Sequence, residues 1–486
     1  MTVTPAAPAL PGASSLAGGA GGPANLRPLL DAVLDGLARG VADRDGPLPG
    51  AGHGGLTAAI RAACGQQFLP DEGIGAQAAL RSLTRVLAAG AADPADPACA
   101  AHLHCPPLAV AVAADLAAAA LNPSLDSWDQ APSGTALEPV IIATLADLVG
   151  YRAGVAGGVV TTGGTESNLM GLLLARDHAV PAGRLRVLCS AAAHFSVARG
   201  AGLLGLGEDA VLAVPTGRDH RMDVRALREE LAAVAAAGDV PVAIVATAGT
   251  TDVGAVDPLP QIADIAAEYR TWLHVDAAYG GGALFSRRLS PLLAGLARAD
   301  SVALDLHKLG WQPVAAGVFL ARSTTLFGPL ERSVSYLNPD DDQQAGYPSL
   351  LGRSLRTTRR PDVFKIAVTL QALGRSGLGA LVDRCHELAR HAAARVAAHP
   401  RLELFADPVL STVVFRYLPP PHRGAADPVN AELRRVLLAE GRAVIGRTEA
   451  GGAVRLKLTL LNPHATEADV DALLDAVVAA GDKETR

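Results

Sequence analysis

Between about residues 101 and 330, short apolar runs alternate with longer stretches rich in alanine and leucine. A run that is apolar throughout is typical of a strand buried on both faces, and alanine and leucine favour helix. Strands that alternate with helices predict an α/β fold with a largely parallel sheet. Seven runs fit this interpretation: GVVTT (158–162), RVLCS (186–190), AVLAVP (210–215), PVAIVAT (241–247), TWLHVD (271–276), SVALDL (301–306) and AGVFLA (316–321).

Residues able to carry chemistry stand at or just after the ends of these runs. They are Gly163 to Thr165, His194, Thr247 to Thr250, Asp276, and His307 with Lys308. The carboxyl ends of parallel strands meet at one edge of a sheet, where ligands of such folds bind. We therefore expect these residues to form one composite site.

The rest of the chain divides by composition into further segments. Residues 1–25 are rich in Pro, Gly, Ala and Ser and are expected to form a disordered tail, and residues 26–100 are expected to form a helical segment. Residues 101–375 form the predicted large domain. Residues 376–486 form a smaller C-terminal α+β domain, with helices at 380–398 and 427–440, strands at LELFA, STVVFRY and AVRLKLTLL, and a last helix that a capping box of Thr466 and Asp469 begins.

Charge and cysteine usage exclude several classes of function. The net charge of −6 shows no basic footprint, so nucleic acid is not an expected partner. The five cysteines are scattered and form no CxxC pair, which predicts neither a disulfide framework nor a metal site and favours a reducing compartment. No secretory signal and no apolar run long enough to span a bilayer are found. We expect a cytoplasmic enzyme without a membrane partner.

Lys308 follows the buried run SVALDL and lies beside His307. A lone lysine is usually a solvated surface charge. At the end of a buried strand, however, the neutral amine is favoured, and a neutral amine is what the formation of a Schiff base with a carbonyl requires.

Asp276 ends the run TWLHVD and is followed by AAYGGG. A buried carboxylate is costly unless a cation lies beside it, and a protonated pyridine nitrogen would supply one. The alternative is an aspartate that caps the following turn. The small residues Ala277, Ala278 and Gly280 to Gly282 leave room for a flat ring.

The segment GGTESN (163–168) joins a predicted strand to a predicted helix. Backbone N–H groups at the helix start, with the hydroxyls of Thr165 and Ser167, would form a phosphate cradle. The segment is neither a Walker loop nor GxGxxG. The imidazole of His194 could stack on a cofactor ring, or be a structural histidine, and Thr247 in its Gly/Thr/Asp loop could simply belong to a turn.

In this order, these segments resemble the group II pyridoxal-phosphate-dependent decarboxylases over roughly residues 100 to 465, above all at HVDAAYGG and the D-x-HK segment. The resemblance implies the aspartate aminotransferase-like fold (fold type I) and pyridoxal 5'-phosphate as cofactor. It implies that Lys308 is the Schiff-base lysine, that Asp276 and Ala278 lie at the ring, that His194 stacks on the ring with Thr247 nearby, and that Gly164, Thr165 and His307 serve the phosphate.

LNPSLDSWDQAPSGTALE (121–138) and DLHKLGWQPVAAGVFLAR (305–322) are most similar to the branch of L-2,4-diaminobutyrate decarboxylases and siderophore-pathway lysine decarboxylases. Its substrates carry a second amine, for which Asp126 and Asp129 would be acidic partners, or else simple loop caps. Leu306 replaces an aromatic residue of that branch, either Leu309 or Gly310 replaces another, and Gly352 with Arg353 replaces Asp-Lys. Valine, aspartate, glutamate and aromatic amino acids therefore stay open as substrates.

The same resemblance implies a homodimer with active sites at the subunit interface, where helices before residue 100 pack. Tyr336, in a mobile loop over residues 331–345, is the expected proton donor, and Arg359 would hold a carboxylate or the loop, or be solvated. Three other functions remain open: an aminotransferase or aldehyde synthase of the same fold, a partner subunit that has lost catalysis, and, as the weakest, a nucleotide-binding protein.

Overall fold

The computed structural model describes residues 15–50, 52–65, 68–180, 183–422 and 424–485. Residues 1–14 of the predicted tail lie outside this part, and the first helix begins at Gly22, inside the stretch predicted as tail. The helices are α1 (Gly22–Asp43), α2 (His53–Cys64), α3 (Ala76–Gly90), α4 (Ala109–Leu121), α5 (Pro132–Val149), α6 (Gly164–His178), α7 (Ser196–Leu203), α8 (Val224–Ala236), α9 (Leu259–Tyr269), α10 (Asp340–Gln344), α11 (Val363–Ala398), α12 (Ala426–Ala439) and α13 (Glu467–Glu484). The strands are β1 (Cys99–Ala100), β2 (Gly157–Thr161), β3 (Leu185–Ser190), β4 (Val211–Val214), β5 (Val240–Thr247), β6 (Trp272–Ala277), β7 (Ser301–Asp305), β8 (Gly317–Ala321), β9 (Leu402–Leu404), β10 (Thr412–Tyr417), β11 (Val444–Ala450) and β12 (Ala453–Thr459).

Each of the seven predicted runs forms one strand of a seven-stranded sheet, in the order β2-β8-β7-β6-β5-β3-β4. Pairing is parallel from β4 through β7, whereas β8 runs antiparallel to both β7 and β2. The α/β class with a mostly parallel sheet is therefore confirmed. The register pairs Thr247 with Asp276, which brings these two side by side at the carboxyl ends of β5 and β6.

Burial explains why these runs could be recognised in the sequence. Every residue of β7 and β8 is buried, and most of β5 and β6 is buried as well. Helices cover the sheet, with α6 packing against β6, β7 and β8. A strand that meets apolar side chains on both faces must itself be apolar along its whole length.

The second sheet has the order β1-β11-β12-β10-β9 and belongs to the smaller C-terminal α+β region. It includes β11, which the sequence analysis missed because Arg447 and Glu449 interrupt its apolar character on the exposed face. It also includes β1, which comes from the segment before the large domain and pairs in parallel with β11. The capping box at Thr466 and Asp469 is confirmed.

Helix α11 crosses the predicted boundary at residue 375, with a kink at Gly374, whose φ is +62°. Glycine adopts such a φ without the penalty that a Cβ brings, and this is why the two halves look like separate helices in the sequence. Among the helices described, none is both long and apolar enough to cross a membrane.

Candidate active site

A cavity of about 400 Å³ opens at the carboxyl ends of the parallel strands. A larger groove of about 1040 Å³ lies near the amino ends of β5 and β6, around Val240 and Trp272, and none of the predicted site residues lines it. The residues that line a cavity, and not its volume, therefore identify the candidate site. The smaller cavity brings together eight residues predicted from the sequence: Gly164, Thr165, His194, Thr247, Asp276, Ala278, His307 and Lys308.

Lys308 lies in the turn after β7, with Nζ 3.0 Å from Oδ2 of Asp305. The carboxylate of Asp305 is only 3% exposed, and its contact with Lys308 was not predicted from the sequence. The first residue of D-x-HK is thus the acidic partner of the lysine. The sequence did contain an indication of this pair, because a turn after the strand brings residues i and i+3, here Asp305 and Lys308, together.

Asp276 is only 6% exposed, and both of its carboxylate oxygens accept hydrogen bonds. Oδ1 accepts from the backbone N–H of Ala278 at 3.0 Å, and Oδ2 accepts from Nδ2 of Asn168 at 2.8 Å. Within the described part of the chain, no lysine, arginine or histidine lies within ion-pair distance of it. The carboxylate therefore caps its turn and still has its charge available for a cationic ligand group.

His194 follows β3, and its Nδ1 lies 2.8 Å from Oγ of Ser196. The backbone N–H of Ser196 also donates to Nδ1, at 3.3 Å. Burial lowers the pKa of His194, and the charge of Asp276 opposes that shift. The imidazole is thus favoured in its neutral form, with Nδ1 as acceptor.

His307 has the same arrangement on the other side of the cavity. Its Nδ1 accepts the backbone N–H of Ala316 at 3.2 Å, so the proton of the neutral ring sits on Nε2. Burial lowers the pKa of His307, although nearby Asp305 acts in the opposite direction. His307 can therefore donate from Nε2 to an anionic ligand group.

The turn before α6 lies where the phosphate cradle was predicted, and it corrects the prediction for one residue. A Cβ on Gly164 would lie 2.8 Å from Cβ of Ala278, so the backbone here must approach its neighbour closely. Thr165 lines the cavity at the first turn of α6, where N–H groups point outwards. Ser167 was predicted to join the cradle, but its hydroxyl is buried 2.8 Å from Oγ1 of Thr161 and does not line the cavity.

Two buried oxygens lining this cavity have no hydrogen-bond partner among the described residues: Oγ1 of Thr247 and Oδ1 of Asp305. Buried polar atoms of this kind indicate a polar ligand. The donor set fits pyridoxal phosphate: an amine for its aldehyde, a buried carboxylate for its ring nitrogen, and a helix start with a histidine for its phosphate.

Several other predicted residues lie away from the cavity. Arg359 is neither solvated nor free for a ligand, because it forms a buried bidentate ion pair with Glu138 at 2.8 and 2.9 Å. Asp126 accepts from Gln130 and Asp129 from Ser127, so both stabilise their own loop.

The residues that replace aromatic positions of the branch also lie elsewhere. Leu306 and Leu309 belong to the main hydrophobic core and do not line the cavity, so the substitutions there do not reshape it directly. Tyr336 is 82% exposed and does not line this cavity.

His274, on β6, was not predicted as a site residue but lies behind Asp276. It is fully buried, with Nδ1 2.8 Å from Oγ of Ser301 and Nε2 2.9 Å from Oδ1 of Asn168. Burial lowers the pKa of His274 to about 4. A role for His274 was hard to predict from the sequence, because its hydrogen-bond partners come from segments that are distant along the chain.

This lowered pKa makes the stability of the protein depend on pH. The unfolded chain takes up a proton near 6.5, whereas folded His274 resists it down to about 4. The contribution of neutral His274 to the free energy of unfolding is therefore complete above pH 6.5 and is lost as the pH falls towards 4. We expect wild type to lose on the order of 2 kcal/mol more than His274→Gln between about pH 6.5 and 4.5. Urea unfolding of both proteins across this range measures the difference, and parallel pH profiles would contradict it.

Comparison with known proteins gives a consistent result. A model of the pyridoxal-dependent decarboxylase conserved domain matches residues 66–418. An L-2,4-diaminobutyrate decarboxylase of Rhizobium meliloti (strain 1021) is 46% identical over 411 residues, covering 84% of this chain and 83% of that protein. One of Acinetobacter baumannii is 36% identical over 454 residues, covering 88% of each.

Among solved structures, a similar one is the glutamate decarboxylase domain of diaminobutyrate-pyruvate transaminase and L-2,4-diaminobutyrate decarboxylase from Vibrio parahaemolyticus. It superposes with a TM-score of 0.86 at 34% identity and covers 96% of this chain and 98% of that one. The likeness therefore extends over both sheets and over the residues that line the cavity.

Proposed function

The chain belongs to the pyridoxal-dependent decarboxylase family, and on that premise we propose that it removes the α-carboxylate of L-2,4-diaminobutyrate, forming CO₂ and 1,3-diaminopropane. Its class of reaction is that of the family, a pyridoxal-phosphate-dependent decarboxylation of an amino acid. The observation that carries the substrate assignment is the 46% identity to a diaminobutyrate decarboxylase over 84% of the chain. Other diamino acids, such as lysine or ornithine, are the next candidates.

The residues of the cavity have separate proposed roles. Bound pyridoxal phosphate supplies a ring that accepts the electron pair left when the bond between Cα and the carboxylate breaks. Lys308 would hold the cofactor and release it to the substrate amine. Asp276 would keep a proton on the ring nitrogen, which makes the ring a better electron acceptor. Support for this role comes from its burial without a cationic side chain nearby.

The remaining residues would bind and orient. Gly164 and Thr165 at the start of α6 would bind the phosphate, together with Nε2 of His307. Thr247 would use its unpaired hydroxyl beside the ring. His194 would stack on the ring and contact the substrate carboxylate from Nε2. Their common position around one cavity supports these assignments.

A panel of amino acids tests the substrate. The cofactor-loaded protein is incubated with diaminobutyrate, ornithine, lysine, glutamate, aspartate, valine and aromatic amino acids, and the amines are identified. A single methylene is worth roughly 10-fold to 200-fold in discrimination, so kcat/KM for diaminobutyrate should exceed that for ornithine by at least about 10-fold. A higher kcat/KM for any other member of the panel would overturn the substrate assignment.

Tyr336 is our candidate for returning a proton to Cα after CO₂ leaves. Its exposed position outside the cavity of its own chain suits a side chain that acts in the cavity of a partner subunit. Tyr336→Phe should lower kcat by roughly 10²-fold and, in air-saturated buffer with O₂ as the oxidant, raise the ratio of oxidative deamination to decarboxylation, because the proton is no longer supplied. Tyr347→Phe, two residues beyond the loop over residues 331–345, is the control and should leave that ratio unchanged. An unchanged ratio in Tyr336→Phe would contradict the assignment.

We further propose that the enzyme is a cytoplasmic homodimer. Large apolar side chains of α1 and α3 are exposed in the single chain, for example Leu34 at 62% and Leu87 at 73%. An exposed apolar surface of this kind is typical of a face covered by another subunit. The five cysteines are free, as is usual in a reducing compartment. Sedimentation at twice the mass of one chain is the expected result.

A further inference from the structure

A line of hydrogen bonds runs through the buried interior behind the cavity. Nε1 of Trp272 donates to Oγ of Ser301 at 2.9 Å, and Ser301 lies 2.8 Å from Nδ1 of His274. Nε2 of His274 lies 2.9 Å from Oδ1 of Asn168. The line therefore begins near the amino ends of β6 and β7 and reaches α6, whose first turn lines the cavity.

At Asn168 the line divides towards the cavity. Nδ2 of this 1% exposed residue donates to Oδ2 of Asp276 at 2.8 Å and to Oγ of Ser196 at 2.9 Å. Ser196, equally buried, lies 2.8 Å from Nδ1 of His194. One side-chain amide thus contacts both the carboxylate proposed for the ring nitrogen and, through one hydroxyl, the histidine proposed for the ring face.

The donors in this network can be assigned by elimination. A carboxylate only accepts, so the nitrogen of Asn168 must face Asp276 and its oxygen must face His274. Nε2 of His274 must then carry the proton. An indole N–H only donates, so the hydrogen of the Ser301 hydroxyl is free for Nδ1 of His274. The lowered pKa of His274 agrees with this neutral form.

The same reasoning assigns the position of the proton on His194. Ser196 accepts one N–H of Asn168, and its own hydrogen is free for Nδ1 of His194. The backbone N–H of Ser196 is directed to the same nitrogen. With Nδ1 as acceptor, the proton of the neutral imidazole lies on Nε2, the nitrogen left for a ligand in the cavity.

We propose that Asn168 is a positioning residue that orients the carboxylate of Asp276 and, through Ser196, holds His194 with its proton on Nε2. The inference rests on the proposed roles of Asp276 and His194. It adds that one amide couples these roles, so that a change at Asn168 affects both, whereas a change at Ser196 affects His194 and leaves the hydrogen bond from Asn168 to Asp276 in place.

Two variants separate the effect on Asp276 from the effect on His194. Asn168→Asp sets a second carboxylate against Asp276, and like charges at this distance favour protonation of one of them. The dissociation constant for pyridoxal phosphate should rise about 10-fold to 100-fold, as for other partners that orient a ligand-binding group. Asn430→Asp, at an equally buried amide of the small domain, is the control and should leave cofactor affinity unchanged.

Ser196→Ala removes the hydroxyl that donates to Nδ1 of His194 and accepts from Asn168, and it leaves the contact of Asn168 with Asp276 in place. Because that donor stabilises the neutral ring, its loss raises the pKa of His194. The acid limb of the kcat/KM profile should move to higher pH by up to about 1 unit, with cofactor affinity within about 2-fold of wild type, since one neutral hydrogen bond is lost. An unmoved acid limb, or a loss of cofactor affinity equal to that of Asn168→Asp, would overturn the proposal.

Neutron diffraction from deuterated, cofactor-loaded protein tests the proton positions without using turnover. Deuterium on Nε2 of both His194 and His274, with Nδ1 bare, is the expected result. Deuterium on Nδ1 of His194 would overturn the inference even if the enzyme decarboxylates diaminobutyrate. If instead the proton positions agree and no amino acid loses CO₂, the proposed function fails and the inference stands. The neutron diffraction map tests the proposal even if Asn168→Asp does not fold.

Discussion

Replacing Lys308 by alanine is expected to lower kcat by at least about 10⁴-fold and to abolish covalent attachment of the cofactor. Of the residues that line the cavity, Lys308 alone is a lysine. Its ion pair with Asp305 holds the amine beside His307 and the start of α6. Borohydride reduction followed by peptide mass spectrometry locates the cofactor-bearing residue, and steady-state kinetics gives kcat.

Lys308→Arg is the matched variant. It keeps a cation for the buried carboxylate of Asp305, whose other neighbour is Nε2 of His307 at 3.6 Å, but it cannot form the linkage. Both variants should therefore lose attachment and turnover, whereas only Lys308→Ala should lose stability as well. Attachment of the reduced cofactor to another lysine of the wild-type chain would show that the site is wrongly assigned.

Replacing Asp276 by asparagine is expected to lower kcat on the order of 10³-fold and to weaken cofactor binding. The substitution keeps the size of the side chain and an oxygen able to accept from Ala278, but removes the negative charge. Without that charge the ring nitrogen loses its proton more readily, so the ring accepts electrons less well. Cofactor titration and steady-state kinetics measure the two effects.

Asp300→Asn is the control for this variant. Asp300 is a largely buried aspartate near the opposite end of the same strands, where it accepts from the backbone N–H of Leu273 and pairs with Arg322. This control should keep a kcat close to that of wild type. Equal losses in both variants would mean that Asp276 acts through stability of the sheet and not through the cofactor.

The seven strands could be predicted because burial on both faces requires apolar residues along their whole length. The eight cavity residues could be predicted because parallel strands present their carboxyl ends at one edge. The pattern of the sequence therefore gave the fold class and the edge of the sheet at which the site lies, and the resemblance to the decarboxylases gave the cofactor. The register that sets Thr247 beside Asp276 was not predicted.

Contacts between distant segments could not be predicted in this way. Glu138 and Arg359 form their buried pair from positions 221 residues apart, so Arg359 looked like surface in the sequence. Asn168 and His274 meet only when α6 packs on β6. Strand β11 was missed because its exposed face is charged. For Arg359 and for His274, the partner that determines the environment lies outside any sequence window.

The central claim, loss of the α-carboxylate, is tested most directly with L-2,4-diaminobutyrate labelled with ¹³C at the carboxyl carbon. Cofactor-loaded protein should release one labelled CO₂ for each 1,3-diaminopropane formed, with both amino groups retained in the product. A keto acid that keeps the label would contradict the account, and so would an aldehyde formed with release of ammonia.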